Sequence, residues 1–303
     1  MTKLLFTILL SLFLNQLLVA SPQLPDYIIY KGDTISTYNL ILEEYLQKKN
    51  PNEDKLFGLS FRNFLSEDAD LNMGASFNCW RGYQAIYEIE NDSLFLSGII
   101  RCHSLKEMNK EFSNKALHAL FGNQVKNNKV FIDWFSGDIS FPTKSKNNQN
   151  EVIRWDGVFE KIFLFETLIK IDKGIIKYAK EIQNYVSISN RIDRKERDSI
   201  ITILFDKIKN RKWEKLNKFD CSETYIIRIN KKGKIDLVEM RLTKEEINDF
   251  FEKEEYQYCI CSMKKALLGL KFDIIKRKGQ PIEEYVFIQI WTEDNGSIEN
   301  WTY

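Results

Sequence analysis

Histidine is scarce in this chain: 303 residues contain only His103 and His118. Both lie far in sequence from Cys259 and Cys261, which also lack a second cysteine pair at ligand spacing, so no zinc centre is expected. Proline is nearly as rare. The five residues Pro22, Pro25, Pro51, Pro142 and Pro281 leave no room for a proline-rich linker or stalk. Charge of one sign is missing too, because a net charge of +1 marks no general polyanion binder. Charged residues at 29% and apolar residues at 44% describe an ordinary soluble globular chain. No catalytic motif stands out, and no cofactor, metal ligand or catalytic residue is assigned.

The leader is the most informative segment present. Lys3 gives a positive start, and Leu4 to Leu14 is apolar apart from Thr7 and Ser11. Asn15 and Gln16 interrupt the run, and Val19, Ala20 and Ser21 supply small residues before Pro22. This order predicts a signal peptide over residues 1–20, a mature start near Ser21, and a periplasmic or otherwise exported protein. A membrane anchor would need about twenty apolar residues, more than this run offers. No cysteine follows the run, so a lipid anchor is not expected. In an oxidising compartment the five cysteines, Cys79, Cys102, Cys221, Cys259 and Cys261, allow two bridges and one leftover thiol. A Cys79–Cys102 bridge is one possibility; spacing alone does not fix the connectivity.

The length suggests two domains. The first, residues 21–190, reads as a hairpin-rich β/α domain. Tyr27 to Tyr30 suits a strand followed by a turn at Gly32 and Asp33, and Asn39 to Lys49 suits a helix capped by Ser36 or Thr37. Arg81 to Ile100 alternates around Asn91 and Asp92, the pattern of a hairpin. Ser104 and Glu107 form a capping-box pattern ahead of a helix over Leu105 to Leu120. The stretch from Gly157 to Gly174 echoes that from Gly82 to Gly98, and Val130 to Phe135 reads as a buried strand. The block Trp80 to Tyr83, together with Asp133 to Gly137, resembles a recurrent pattern of uncharacterised exported bacterial proteins and implies no activity.

The charged stretch Arg191 to Asp198 is the best boundary, with a second domain over 197–303. Ile200, Ile201, Ile203, Leu204 and Ile208 suit an amphipathic helix. Strands over Thr224 to Asn230 and Lys234 to Met240 flank a tight turn at Lys231 to Gly233. Thr243 and Glu246 make a second capping box. A helix over Tyr258 to Leu270 and a strand over Glu284 to Trp291 follow. Trp213, the strand pair around Gly233, Ala266 to Phe272, Gly279 to Pro281 and Val286 to Ile290 together resemble the TonB C-terminal domain family over about 197–292. The resemblance implies a three-stranded antiparallel sheet packed on helices, and capture of a protein segment at a sheet edge. The chain departs from energy-transducing members in lacking a proline-rich spacer, in being expected to lose its membrane anchor, and in carrying an acidic insertion over about Arg241 to Glu255. The fold class expected overall is α+β.

Local chemistry points mostly to structure. His103 beside Cys102 suggests an activated thiol, but strand neighbours face opposite ways. His118 fits a partly buried helix position. Asp133 and Asp138 flank Trp134 and Phe135, a pattern shared by a carboxylate pair on a sugar platform and by a strand entering a turn. Lys207, Lys209, Arg211, Lys212, Lys215 and Lys218 surround Trp213 and read as a solvated helix end. One feature of the second sheet asks for a partner. Alternation leaves Ile226, Val238, Met240, Tyr285, Phe287 and Trp291 opposite the residues that would pack on the helices, where a wet face should be polar. The expectation is a non-catalytic binding module using these residues. Its partner would be an envelope protein or peptide segment, or the N-terminal domain itself; neither nucleic acid nor a transmembrane span in the mature chain is expected. The rival reading is an envelope hydrolase of cell-wall material using carboxylates of the N-terminal domain.

Overall fold

The structure, a computed structural model, describes residues 22–49, 77–106, 110–143, 151–216, 218–293 and 295–302. The leader read over 1–20, and Glu107 of the first capping-box pattern, lie outside these residues. The fold is α+β. The chain divides into two compact units, and the division is discontinuous. The first unit contains residues up to 144 with 155–161 and 167–180; the second contains 145–154, 162–166 and 181–303. The second unit is thus wider than the 197–303 span read from the sequence, and the charged stretch from Arg191 lies inside it. Among the described residues no helix is long and apolar enough to cross a membrane.

In the first unit, β1 (Asp26–Tyr30) and β2 (Asp33–Thr37) form a hairpin, and β1 runs parallel to β3 (Tyr83–Glu90). Ser36 and Thr37 are therefore strand residues and not helix caps; α1 begins later, at Ile41–Lys49. β3 and β4 (Ser93–Arg101) form the hairpin expected around Asn91 and Asp92, both at positive φ (48° and 55°), the conformation a tight hairpin turn requires. β5 (Val130–Phe131), β6 (Gly137–Pro142), β9 (Phe165–Asp172) and β10 (Ile175–Gln183) extend the sheet in the order β2-β1-β3-β4-β10-β9-β6, with β5 beside β4. The echo between the two glycine-bounded stretches is not a structural repeat: Gly98 lies within β4, whereas Gly174 sits in the turn between β9 and β10. The helix α2 (Lys110–Phe121) contributes Phe112, Ala116, Leu117 and Phe121 to the core. The Ser104 hydroxyl donates to the Cys102 carbonyl.

A buried ion pair ties this unit together. Arg81 donates to Asp26 at 2.8 Å, and the same carboxylate accepts the Ala85 N–H and the Tyr87 hydroxyl. Tyr83 reaches Glu43 of α1. The Trp80 to Tyr83 block is thus part of a folding network, since a buried charge is tolerated only when paired and hydrogen-bonded. Cys79 and Cys102 form a disulfide.

The second unit is built on a four-stranded antiparallel sheet in the order β13-β12-β16-β17. Its strands are β12 (Glu223–Ile229), β13 (Ile235–Met240), β16 (Glu284–Thr292) and β17 (Ile298–Asn300). The sequence predicts three strands; the fourth, β17, is encoded only by a short run after Gly296. α3 (Arg197–Lys209) buries Ile200, Leu204 and Ile208, and α5 (Lys253–Leu267) buries Cys259, Met263 and Leu267, each at four-residue spacing on one helical face. The short α4 (Lys244–Phe250) buries nothing and begins with the capping box of Thr243 and Glu246. A second disulfide, Cys221–Cys259, joins the approach to β12 to α5. A smaller sheet of β11 (Tyr185–Val186), β14 (Ile274–Arg277) and β15 (Gln280–Pro281) lies beside β7 (Val152–Trp155) and β8 (Lys161–Phe163) in sequence-separated pieces, with Ile153, Ile162, Tyr185 and Ile275 in one core.

Candidate binding face

Which side chains reach the outer face of the large second sheet is decided by strand register. Tyr225 lies opposite Met240 and Ile288, and Ile227 opposite Val238 and Val286; all are buried among α3 and α5. Ile226 lies opposite Glu239 and Phe287, and Arg228 opposite Leu237 and Tyr285, on the other face. Val238 and Met240 are therefore core residues, contrary to the sequence reading. Alternation holds along β12 and β16 but is broken in β13, and a parity cannot be matched across strands without the register. A register shift between Arg228 and Ile229 inserts an extra residue near the turn and sends Ile235 to the core side and Leu237 outward.

Ile226, Tyr285, Phe287 and Trp291 do share the outer face, joined by Leu237 and by Trp301 from beyond β17. Tyr285, Phe287, Trp291 and Trp301 are 40, 38, 42 and 40% exposed, and Ile226 is half-buried. Trp291 and Trp301 stack with centroids 5.0 Å apart. Arg241 lies over the Phe287 ring at 5.4 Å. Arg228 donates to Asp236 at 2.8 Å; that bond holds the Asp236 carboxyl below its usual range and, with Tyr285, raises Arg228. Four rings exposed to this degree leave about 300 Å² of aromatic surface, at the size where a patch on a monomer is often functional. β17 pairs with Ile290 to Thr292, and the Trp301 N–H bonds to the Gln289 carbonyl. Among the described residues no strand pairs with Tyr285 to Phe287 on the side of β16 away from β12, and Arg197 donates to the Tyr285 carbonyl at 3.3 Å. Trp301 could have been suspected from its aromatic neighbour Tyr303; nothing marked Leu237.

The residues of the rival reading are not assembled. The Ile132 N–H bonds to the Leu94 carbonyl, placing Asp133 at the start of β4, while His103 follows its far end. Seven extended residues separate those ends by about 20 Å. His103 Nε2 contacts Asn78 at 3.2 Å, and Cys102 is committed to its disulfide. Asp138 pairs with Lys170 at 3.7 Å. Trp134 faces inward, stacked on Phe121 at 5.3 Å and tilted against Tyr45 at 4.8 Å, so it offers no sugar platform. In the basic stretch, Trp213 donates to the Ile208 carbonyl and Lys215 pairs with Glu254 of α5 at 3.1 Å, as a helix end braced on its neighbour would.

No family model, curated protein or solved structure matches the chain.

Proposed function

We propose that the second unit is a protein- or peptide-binding module, and that the chain acts without chemistry of its own as an exported protein of the cell envelope. The observation that carries this reading is the row of Tyr285, Phe287, Trp291 and Trp301 exposed on one sheet face, accompanied by Arg228 and Arg241. Tryptophan, tyrosine and arginine are the residues in which interface hot spots concentrate. A stable interface covers about 800 Å² per partner, so the rings would form the centre of a wider contact. The resemblance to the TonB C-terminal family belongs to the same proposal. Two strands, a helix and a last strand in that order support it, as does the open β16 edge; the added β17 departs from it.

The test is Phe287→Lys and, separately, Trp291→Ala, with capture from envelope extract measured beside thermal melting. Each variant is expected to weaken capture at least about thirtyfold, the scale of a hot spot, while the melt moves little because the rings already meet solvent. Capture equal to wild type would remove the face from the binding site. A collapse of the melt would make it core.

A further inference from the structure

The net charge of +1 hides a concentration of lysines at one corner of the second unit. The Phe272 N–H bonds to the Gly233 carbonyl at 2.8 Å, and Lys234 and Lys271 form an isolated bridge. These contacts fold the β12–β13 turn, with Lys231, Lys232 and Lys234, against the chain leaving α5, with Lys271; Lys264 and Lys265 stand in the last turn of the helix. All six are exposed, and among the described residues none forms an ion pair. Leu268, at the end of α5, is 84% exposed in their midst. Beside it runs a groove of about 420 Å³ lined by Ile235, Leu237, Leu267 and Leu270 and rimmed by Lys234, Lys264 and Lys271. Its one lining carboxylate, Asp236, is already held by Arg228 at 2.8 Å and Asn230 at 3.0 Å.

We infer that this corner docks on an anionic lipid bilayer, with Leu268 entering the headgroup layer and the lysines meeting lipid phosphates. The composition selects this partner over an acidic polypeptide. Lysine is depleted in protein interfaces, whose centres are aromatic and arginine-rich; the ring at this corner, Phe272, is wholly buried, and its arginine, Arg191, is spent on the Lys232 and Phe272 carbonyls. Lysines around a protruding apolar side chain are what an anionic surface attracts, because their stems lie along apolar material while the ammonium groups stay in water. The groove meets the aromatic face at Leu237, but the inference rests on Leu268 and the lysines and not on the exposed rings.

The experiment is sedimentation of the full chain with vesicles of phosphatidylcholine alone or with one-third phosphatidylglycerol. Each lysine near such a surface contributes about a fivefold gain in partitioning. The triple variant Lys234→Gln, Lys264→Gln, Lys271→Gln should therefore lose about a hundredfold on the anionic vesicles at low salt. The loss should shrink at about 0.5 M salt, where screening is strong. Leu268→Gln should lose about tenfold, the cost of one apolar side chain left in water. Any contribution of the apolar segment from Leu4 to Leu14 is shared by wild type and variants, and neutral vesicles measure it. Equal binding of wild type and triple variant to anionic vesicles overturns the inference. So does binding to polyglutamate that the triple variant loses while its vesicle binding is unchanged, which would make the partner an acidic polypeptide.

Discussion

Glu284 stands where two arginines of the second unit converge. Its carboxylate accepts from Arg154 Nε at 2.6 Å and from Arg194 Nε at 3.0 Å. Arg194 is wholly buried, and its Nη2 has no hydrogen-bond partner among the described residues. Arg154 also donates to the Ile153, Arg194 and Lys195 carbonyls, so the carboxylate fixes a fork that fastens β7 to the start of α3. Taking away one member of a buried pair leaves the others charged and unmatched, at a cost of about 3 kcal/mol. Glu284→Gln should accordingly lower the melting temperature by on the order of 10 °C. Burial pushes the Glu284 carboxyl up, but the hydrogen bond from Arg154 and the charges of both arginines outweigh it, and the group titrates below its usual range. A depressed carboxyl gives its full stabilisation above the unfolded value, and loses it as pH falls through the folded one. The gap between wild type and Glu284→Gln should be widest near neutrality and should close in acid. A gap independent of pH would mean that packing, not charge, makes residue 284 matter.

At the scale of elements, the β12–β13 turn is held by backbone contact. Gly233 has φ +72°, and a Cβ there would lie 2.1 Å from the Phe272 carbonyl oxygen. Gly296 has φ +82° with nothing within 4 Å. Gly296→Ala should cost about 1 kcal/mol for the backbone conformation alone. Gly233→Ala adds a clash with main chain and should cost about 3 kcal/mol or more; equal melts for the two variants would show that the turn can shift away from Phe272. Such contacts between distant segments leave no local signal in the sequence. Hairpins and helices with local signals were legible: Asn91 and Asp92 between β3 and β4, the Thr243 and Glu246 box, the spacing of Ile200, Leu204 and Ile208. The alternation of β16 was legible as well, and four of the six residues it helped to nominate lie on the outer face. The pairing of that alternation with β13 was not, because it rests on one extra residue near a turn whose geometry involves Phe272, far along the chain. Leu237 escaped notice for the same reason, since strand pairing alone brings it to the face. Ser36 and Thr37 looked like caps because local preference could not show that β1 would take that segment as a partner strand.

For the whole molecule, each compact unit contains one disulfide, and the fifth cysteine, Cys261, is free and exposed. Cys79–Cys102 has its Cα atoms 6.3 Å apart and Cys221–Cys259 5.4 Å, both within the ordinary reach of a bridge. Cys259 and Cys261 lie close together on α5, so sequence proximity would have suggested that they act together; helical geometry turns adjacent odd positions apart and gives Cys259 to Cys221 instead. The bridges close loops of 23 and 38 residues. Constraining unfolded chains of those lengths is worth about 3 and 4 kcal/mol respectively in the loop-entropy account, a large share of the 5–15 kcal/mol typical of a folded domain. Bridges of this weight are compatible with an exported protein, where an oxidising compartment would preserve them. The expected thiol count in denaturant is one without reductant and five with it. Cys79→Ser and Cys221→Ser should each release a second thiol and destabilise chiefly the unit that contains it, as hydrogen exchange resolved along the chain would show. Three or five thiols in the unreduced, denatured protein would mean that a bridge is missing. One thiol that maps to a cysteine other than Cys261 would instead mean that the pairing differs, and with it the packing of α5 on the sheet.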